Sequence, residues 1–305
     1  MIETTENTAV RVGIEICTIG LRAASIDASG KLSLTQTVEV VDPAETPKRL
    51  ITMIGDLKQT LAPFDRIGIA VPGLVDPNTG KIAFSAHLPG HATLDLVKNI
   101  QDSNGVAAVV ENDANAAAWG EFKIGAGRGS DNMFYATLGE GVGGAFVLDG
   151  KLWHGASGFA GEFGYVPINS EGMRLEEVAS AENIIRRTRG RFHTDSTSSL
   201  NKLSEEAITL EAIISAARYD DDFAQMMLAR TGSYVGTAIA SVINLVNVER
   251  IVVGGDIMEA KHLVLNAIIS RARELAFEPS FNSTKIVQGD LGAYAAAAGA
   301  ALLAG

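Results

Sequence analysis

An α/β fold built from two similar halves is what this sequence predicts, and three observations predict it. Short apolar runs of strand character alternate with stretches of helical spacing. A strand-rich meander opens the chain and a second begins near Asn132. Several strands end in glycine-bearing or Asn/Asp-bearing turns that lead onward, and strand tips are where open α/β sheets bind ligands.

Arg11–Thr18 and Leu21–Asp27 are apolar-rich, and the second alternates in part. Lys31–Val41 is a third extended run, with Leu32, Leu34, Val38 and Val40 on one side and the turn residues Asp27–Gly30 before it. The spacing of Leu50, Ile51, Ile54 and Leu57 predicts a helix over Thr46–Leu61. The buried strand Arg66–Val71 follows, closed by Pro72-Gly73. Val106–Val110 is an apolar strand that runs into Glu111-Asn112-Asp113, and Ala114–Phe122 reads as a helix. Met133–Leu138 is a strand that ends in the turn Gly139–Gly144, with Ala145–Leu148 as its hairpin partner and Asp149-Gly150 as the next turn. Phe192–Leu203, polar and rich in Ser and Thr, reads as a loop or mobile insertion. A long helix over Phe223–Val246, a strand over Arg250–Val253, a helix over Lys261–Ala276, a strand over Lys285–Gln288 and a closing helix complete the chain.

Composition excludes several classes. With 47% apolar and 20% charged residues the chain can bury an ordinary globular core. No uninterrupted apolar run reaches eighteen residues, and MIETTENTAV has no basic-then-apolar pattern, so neither a membrane span nor a signal peptide is expected and the cytoplasm is the default. The net charge of −11 disfavours nucleic acid and anionic membranes as partners, and Arg186, Arg187, Arg189 and Arg191 form the one tight basic group. The single cysteine, Cys17, excludes an internal disulfide and a multi-cysteine zinc site.

The stretches that can carry chemistry begin with VVENDANAAAWGE, residues 109–121, where a buried strand delivers Asp113 to the start of a helix. An Asp there can accept a proton from an attacking hydroxyl, or it can simply cap the helix. In TLGEGVGGAFVLDG, glycines 139, 141, 143 and 144 exceed what a tight turn needs and allow backbone N–H groups to approach a phosphate. The Glu140 carboxylate beside them would repel an anion unless it points away. AVPGLVDPNTGKI, which contains Gly73, and HLPGH, which contains Pro89 and Gly90, read as ligand loops. ASGFAGEFGY surrounds Glu162 with small residues, and IVVGGDIMEA is a strand–glycine–helix turn that could admit a purine or serve tight packing.

Taken together and in this order, from Gly13 to Ala301, these stretches resemble the ROK family of repressors, open reading frames and sugar kinases. The resemblance rests on ENDANAAAWGE, LGEGVGGAFVLDGKLWHGASGFAGEFGY, VPGLVDPNTG, LPG, VVGGDIMEA and QGDLGAYAAAAGAA. It implies a two-lobed actin-like ATPase (ribonuclease H-like) fold with mixed sheets and an active site in the interlobe cleft. The implied lobes are residues 1–115 and 116–305, with the C-terminal helix returning to the first.

By the same resemblance Asp113 stands where the family keeps its catalytic base. Asn112, Glu162 and Glu176 stand at sugar contacts, with Gly73, Pro89, Gly90 and Tyr165 around them. Gly139, Gly141, Gly143 and Gly144 match the phosphate loop, Gly254 and Gly255 the adenosine-side loop, and Thr18 the first phosphate motif. ATP and magnesium are the implied cofactors and a hexose the implied substrate, with a homodimer as the common family assembly.

The chain also departs from the family pattern. Where the family reads D-I-G-G-T-K, residues 15–20 read EICTIG, so Cys17 and Thr18 replace paired glycines and Glu15 replaces an Asp associated with magnesium and phosphate. The histidine of the family's E-x-G-H is Tyr165, and SEGMR, residues 170–174, stands where the zinc cysteines would be, so no zinc is expected. The first strand starts about ten residues in, and the winged DNA-binding head of the repressors is not expected. Three readings follow: an ATP-dependent hexokinase acting on glucose or a related sugar, a non-catalytic sugar binder with a degraded nucleotide site, and a kinase with another donor such as polyphosphate.

Overall fold

The computed structural model describes residues 10–76, 79–85 and 95–305, so Pro89 and Gly90 lie outside the described residues. The described residues fall into two compact units. The first holds the chain up to Gly129, Lys151–Ala160 and Ala293–Gly305; the second holds Ser130–Gly150 and Gly161–Gly292.

In the first unit β1 (Arg11–Cys17), β2 (Gly20–Ile26) and β3 (Leu32–Glu39) form the expected antiparallel meander. Helix α1 (Thr46–Thr60) leads to β4 (Arg66–Val71), which runs parallel to β1. The short strands β5 (Leu74–Val75) and β6 (Ile82–Phe84) pair as a separate ribbon. Helix α2 (Leu96–Asn104) leads to β7 (Ala107–Asn112), parallel to β4, and α3 (Asp113–Ile124) follows without a break. The sheet order is β3-β2-β1-β4-β7.

In the second unit β8 (Met133–Leu138) and β9 (Val142–Leu148) are antiparallel. After the turn at Asp149-Gly150 comes β10 (Lys151–Trp153), whose residues belong to the first unit. The helices of the second unit are α4 (Glu176–Ala179), α5 (Ala181–Arg189), α6 (Leu210–Arg218), α7 (Asp222–Val246), α8 (His262–Leu275) and α9 (Glu278–Ser283). β11 (Arg250–Gly254) runs parallel to both β8 and β12 (Lys285–Gln288), so the order β9-β8-β11-β12 repeats β2-β1-β4-β7 of the first unit. No helix among the described residues is long and apolar enough to cross a membrane.

Strand periodicity explains the packing of the first unit. Val12, Ile14, Ile16, Ile67 and Ile69 share one buried cluster with Leu50, Ile54 and Leu57 of α1 and Leu96 and Ile100 of α2. The intervening residues Gly13 and Gly68 face α10 (Ala295–Ala304), which is buried almost all round. A Cβ on Gly68 would stand 1.9 Å from Ala300 O, and one on Gly299 of α10 would stand 1.6 Å from Ala116 O of α3. Large residues on one face of the sheet and the smallest on the other let the Ala-rich helix lie directly on the strands.

Some local expectations change. β9 starts at Val142, so Gly143 and Gly144 are strand residues and the turn is Gly139–Gly141. A Cβ on Gly144 would press on the Phe134 ring and on Phe163 Cβ, which explains that glycine by packing. Of the two alternatives for Phe192–Leu203, the loop holds: it contains only short 3-10 turns and is anchored, with Phe192 and Leu200 buried and the Ser198 and Ser199 hydroxyls donating to Asp221. Where the sequence suggested a division after residue 115, α3 packs whole against α10 and the first unit runs on to Gly129.

Both tryptophans, Trp119 and Trp153, lie in the first unit, so their fluorescence reports its unfolding. Gly299→Ala should lower its stability by about 1–3 kcal/mol through overpacking. An unchanged urea midpoint by tryptophan fluorescence would contradict the close approach of α10 and α3.

Candidate functional site

The end of β7 gathers several side-chain hydrogen bonds. Asn112 is the N-cap of α3: its backbone is extended and its Oδ1 accepts from Asn115 N at 3.0 Å. Its Nδ2 donates to Gly73 O at 2.9 Å and to Asp113 Oδ1 at 3.0 Å. Asp113 therefore sits in the first helical turn beside the cap rather than serving as the cap, and its Oδ1 also accepts from Ala114 N at 2.9 Å. Gly73 has φ of 152°, and a Cβ there would collide with Phe84 O, so glycine brings this carbonyl within reach of Asn112. The structure thus joins three of the expected residues, Gly73, Asn112 and Asp113.

The altered first motif forms the tight β1–β2 turn. Thr18 and Ile19 are exposed at its tip. Glu15 lies opposite Arg22 across the β1–β2 ladder, with carboxylate and guanidinium 3.8 Å apart. Burial, with Glu15 adding to it, pushes the Cys17 thiol up to about 11. Among the described residues no group of three or more His, Cys, Asp or Glu side chains could hold a metal. A magnesium ion shared with phosphate oxygens needs only one or two protein carboxylates, so Glu15 alone suits that role and no other kind of metal site.

In the second unit the turn Gly139–Gly141 follows β8. Gly139 N donates to Gly141 O at 3.0 Å and Gly139 O accepts from Ala181 N at 2.8 Å. Glu140 and Gly141 are exposed, and a Cβ on Gly139 would meet nothing within 4 Å, so the turn has open space beside it. Glu176, the first residue of α4, holds this turn in place: its Oε2 accepts from Val142 N at 2.9 Å. Glu162 is exposed by area yet half enclosed by neighbouring atoms. That enclosure, reinforced by the charge of Glu176, raises its carboxyl above the ordinary range. Two carboxylates that repel each other in this way are relieved by hydroxyl donors, which a polyol supplies.

Tyr165 is exposed, and its ring lies under the Arg174 guanidinium, 4.5 Å from the ring centroid. An isolated bridge between Pro167 and Arg174 and the bond from Leu175 N to Val166 O close the same hairpin. Residues 165–175 are therefore organised by a cation–π pair and backbone bonds. Gly254 ends β11 and Gly255 has φ of 91°; Cβ atoms on them would strike Tyr135 Oη and Leu138 O at 2.3 Å each. Tight packing on β8 accounts for both glycines.

The profile of the ROK family matches residues 11–305. The chain belongs to the ROK family. A glucokinase from Halalkalibacterium halodurans is 36% identical over 213 residues, spanning 66% of this chain and 64% of that protein. A xylose repressor from Bacillus subtilis is 28% identical over 301 residues, 94% of this chain and 75% of that one. The solved structure of a ROK family glucokinase from Streptomyces griseus, in complex with glucose and AMPPNP, matches with a TM-score of 0.87 at 27% identity, over 97% of this chain and 99% of that chain. This ROK protein accordingly has the α/β actin-like ATPase fold with mixed sheets.

Sequence reasoning missed Glu111 and His154. Glu111 Oε1 accepts from Asn112 N at 2.9 Å and from Asn115 Nδ2 at 3.0 Å, and its Oε2 meets His154 Nε2 at 2.9 Å. A signal existed in the acidic residue two positions before the helix, Glu111, and in the lone His of KLWHG, but nothing in their spacing joined them. It also missed Arg174, whose partner Tyr165 had been read for a sugar contact.

Raising the Cys17 thiol from 9.0 to about 11 leaves about a hundredfold less thiolate near neutral pH. Native protein should therefore react with iodoacetamide about a hundredfold more slowly than urea-unfolded protein; equal rates would refute the enclosed thiol.

Proposed function

We propose that this ROK protein is an ATP-dependent sugar kinase that transfers the γ-phosphoryl group to the 6-hydroxyl of a hexose, glucose first. One observation carries the reading: Asn112 caps α3 and donates to Asp113, which places the Asp113 carboxylate beside the cap at the strand tip. The family membership and the resemblance to glucokinases support the same reaction.

In this reading Asp113 accepts the proton of the 6-hydroxyl as its oxygen attacks phosphorus. Asn112 has both amide hydrogens committed to Gly73 and Asp113, so its remaining capacity is a lone pair on Oδ1, which can accept from a sugar hydroxyl. Glu162 and Glu176 accept from further hydroxyls, and the exchange relieves their mutual repulsion. The backbone of Gly139–Gly141 offers N–H groups to the phosphates, with the exposed Glu140 side chain at the turn's outer edge. Glu15 would hold magnesium, which when bound neutralises phosphate charge. Gly254 and Gly255 would border the adenosine, Thr18 the phosphates and Tyr165 the sugar. The protein would work in the cytoplasm as a homodimer, without zinc.

A second reading, sugar binding without phosphoryl transfer, draws support from the β1–β2 turn. Thr18 and Ile19 put side chains where backbone would otherwise meet phosphate, and Arg22 stands beside Glu15. A donor such as polyphosphate would be a variant of the kinase reading that fits the same altered turn.

Asp113→Asn should lower kcat with glucose and magnesium-ATP by roughly 10²- to 10⁴-fold while sugar binding by calorimetry persists. Full activity in that variant would remove Asp113 as the base. Sugar binding by the unaltered protein without binding of an ATP analogue would favour the non-catalytic reading.

A further inference from the structure

We propose that His154 is a positioning residue for the strand tip: acting through Glu111, it holds Asn112 and Asp113 in the arrangement that meets the sugar. The proposal rests on the reading of Asp113 as the base, and its test is chosen to separate the two. The Glu111 carboxylate gathers donors from three parts of the first unit. These are the backbone N–H of Asn112 at the end of β7, the Asn115 amide in the first turn of α3, and the His154 ring in the loop after β10. The residue that Glu111 holds by its backbone, Asn112, is the one whose side chain both caps α3 and binds Asp113. A displacement of Glu111 is therefore passed to Asp113 through a single residue.

The pair needs each other. The side chains of Glu111 and His154 are only 15% and 26% exposed, so neither is well hydrated. A carboxylate withdrawn from water and set two residues from Asp113 would turn outward or take up a proton unless donors held it. Burial alone would raise the Glu111 carboxyl, but the hydrogen bonds from His154 and Asn115 outweigh it and hold the carboxyl below its ordinary value. The bond to Glu111 in turn raises His154 above its ordinary 6.5. The charged group acting on His154 is Glu111, and Asp113 is the other carboxylate at the tip. With Glu111 lowered, the pairing is complete above the ordinary Glu range and fails as pH falls through the lowered value. With His154 raised, the charged pairing is complete below 6.5 and fades as pH rises through the raised value.

Amide hydrogen exchange reads the geometry without reference to activity, because Ala114 N and Asn115 N donate to the side chains of Asp113 and Asn112. In His154→Ala, exchange at these two amides should rise by about tenfold or more. The kcat should fall by roughly 10- to 100-fold, with little change in the KM for ATP, as expected for a misplaced base. His154→Gln, which can still donate to Glu111, should restore both near pH 7. In Glu111→Gln the His154 imidazole should titrate back near 6.5 by NMR. Unchanged exchange in His154→Ala, or an unchanged His154 titration in Glu111→Gln, overturns the proposal even in an inactive protein. Full activity of Asp113→Asn would instead sink the reading of Asp113 as base, while the exchange data would still decide the role of His154.

Discussion

The strand tip of the first unit depends on the cap that Asn112 places on α3. A helix start leaves backbone N–H groups without partners, and one side chain must answer them. Because Asn112 does so, the residue after it sits in the first helical turn beside the cap, where its Oδ1 accepts from Asn112 Nδ2 and Ala114 N. The same side chain reaches back to Gly73 O, so the loop after β4 and the end of β7 are tied at one atom. Substituting Asn112 would thus disturb cap, loop and acid together, which makes it a poor probe of chemistry.

In the second unit the corresponding constraint is Glu176. Its acceptance of the Val142 N–H binds the start of α4 to the glycine turn, so a residue read for sugar contact also shapes the turn read for phosphate. A carboxylate used in this way has one oxygen engaged by the protein, while enclosure, and after it the charge of Glu176, raises the Glu162 carboxyl. Between the two in sequence runs the hairpin that Tyr165 and Arg174 close. An exposed cation–π contact contributes on the order of 0.5–1 kcal/mol, far less than a metal would, and the backbone bonds of the hairpin supply the rest of its order.

The tight seating of α10 shows how composition becomes architecture. An Ala-rich helix has little propensity to find one partner, since it offers no distinctive shape. Its place is set by Gly13, Gly68 and Gly120, where the strands and α3 present bare backbone. Close contact of main chains recovers by dispersion what small side chains lack in buried area.

Much of this molecule was legible in its amino-acid order because the signals are local. The three-strand meander, the strand Arg66–Val71 and the long helix ending at Val246 follow from periodicity and turn residues, and the ordered set of motifs pointed to the ROK family before any geometry was known. Asp113 at a strand-to-helix junction could be read the same way. Whether Asp113 or Asn112 caps the helix could not, because both are good caps and the outcome turns on a carbonyl at Gly73 and an amide at Asn115. Glu111 and His154 stand 43 residues apart and meet only through packing. Gly144, Gly254 and Gly255, alike in sequence to ligand-loop glycines, are accounted for by the atoms pressed against them. Periodicity and capping act over a few residues and leave a trace in the string; partners brought together by sheet pairing and helix packing leave none.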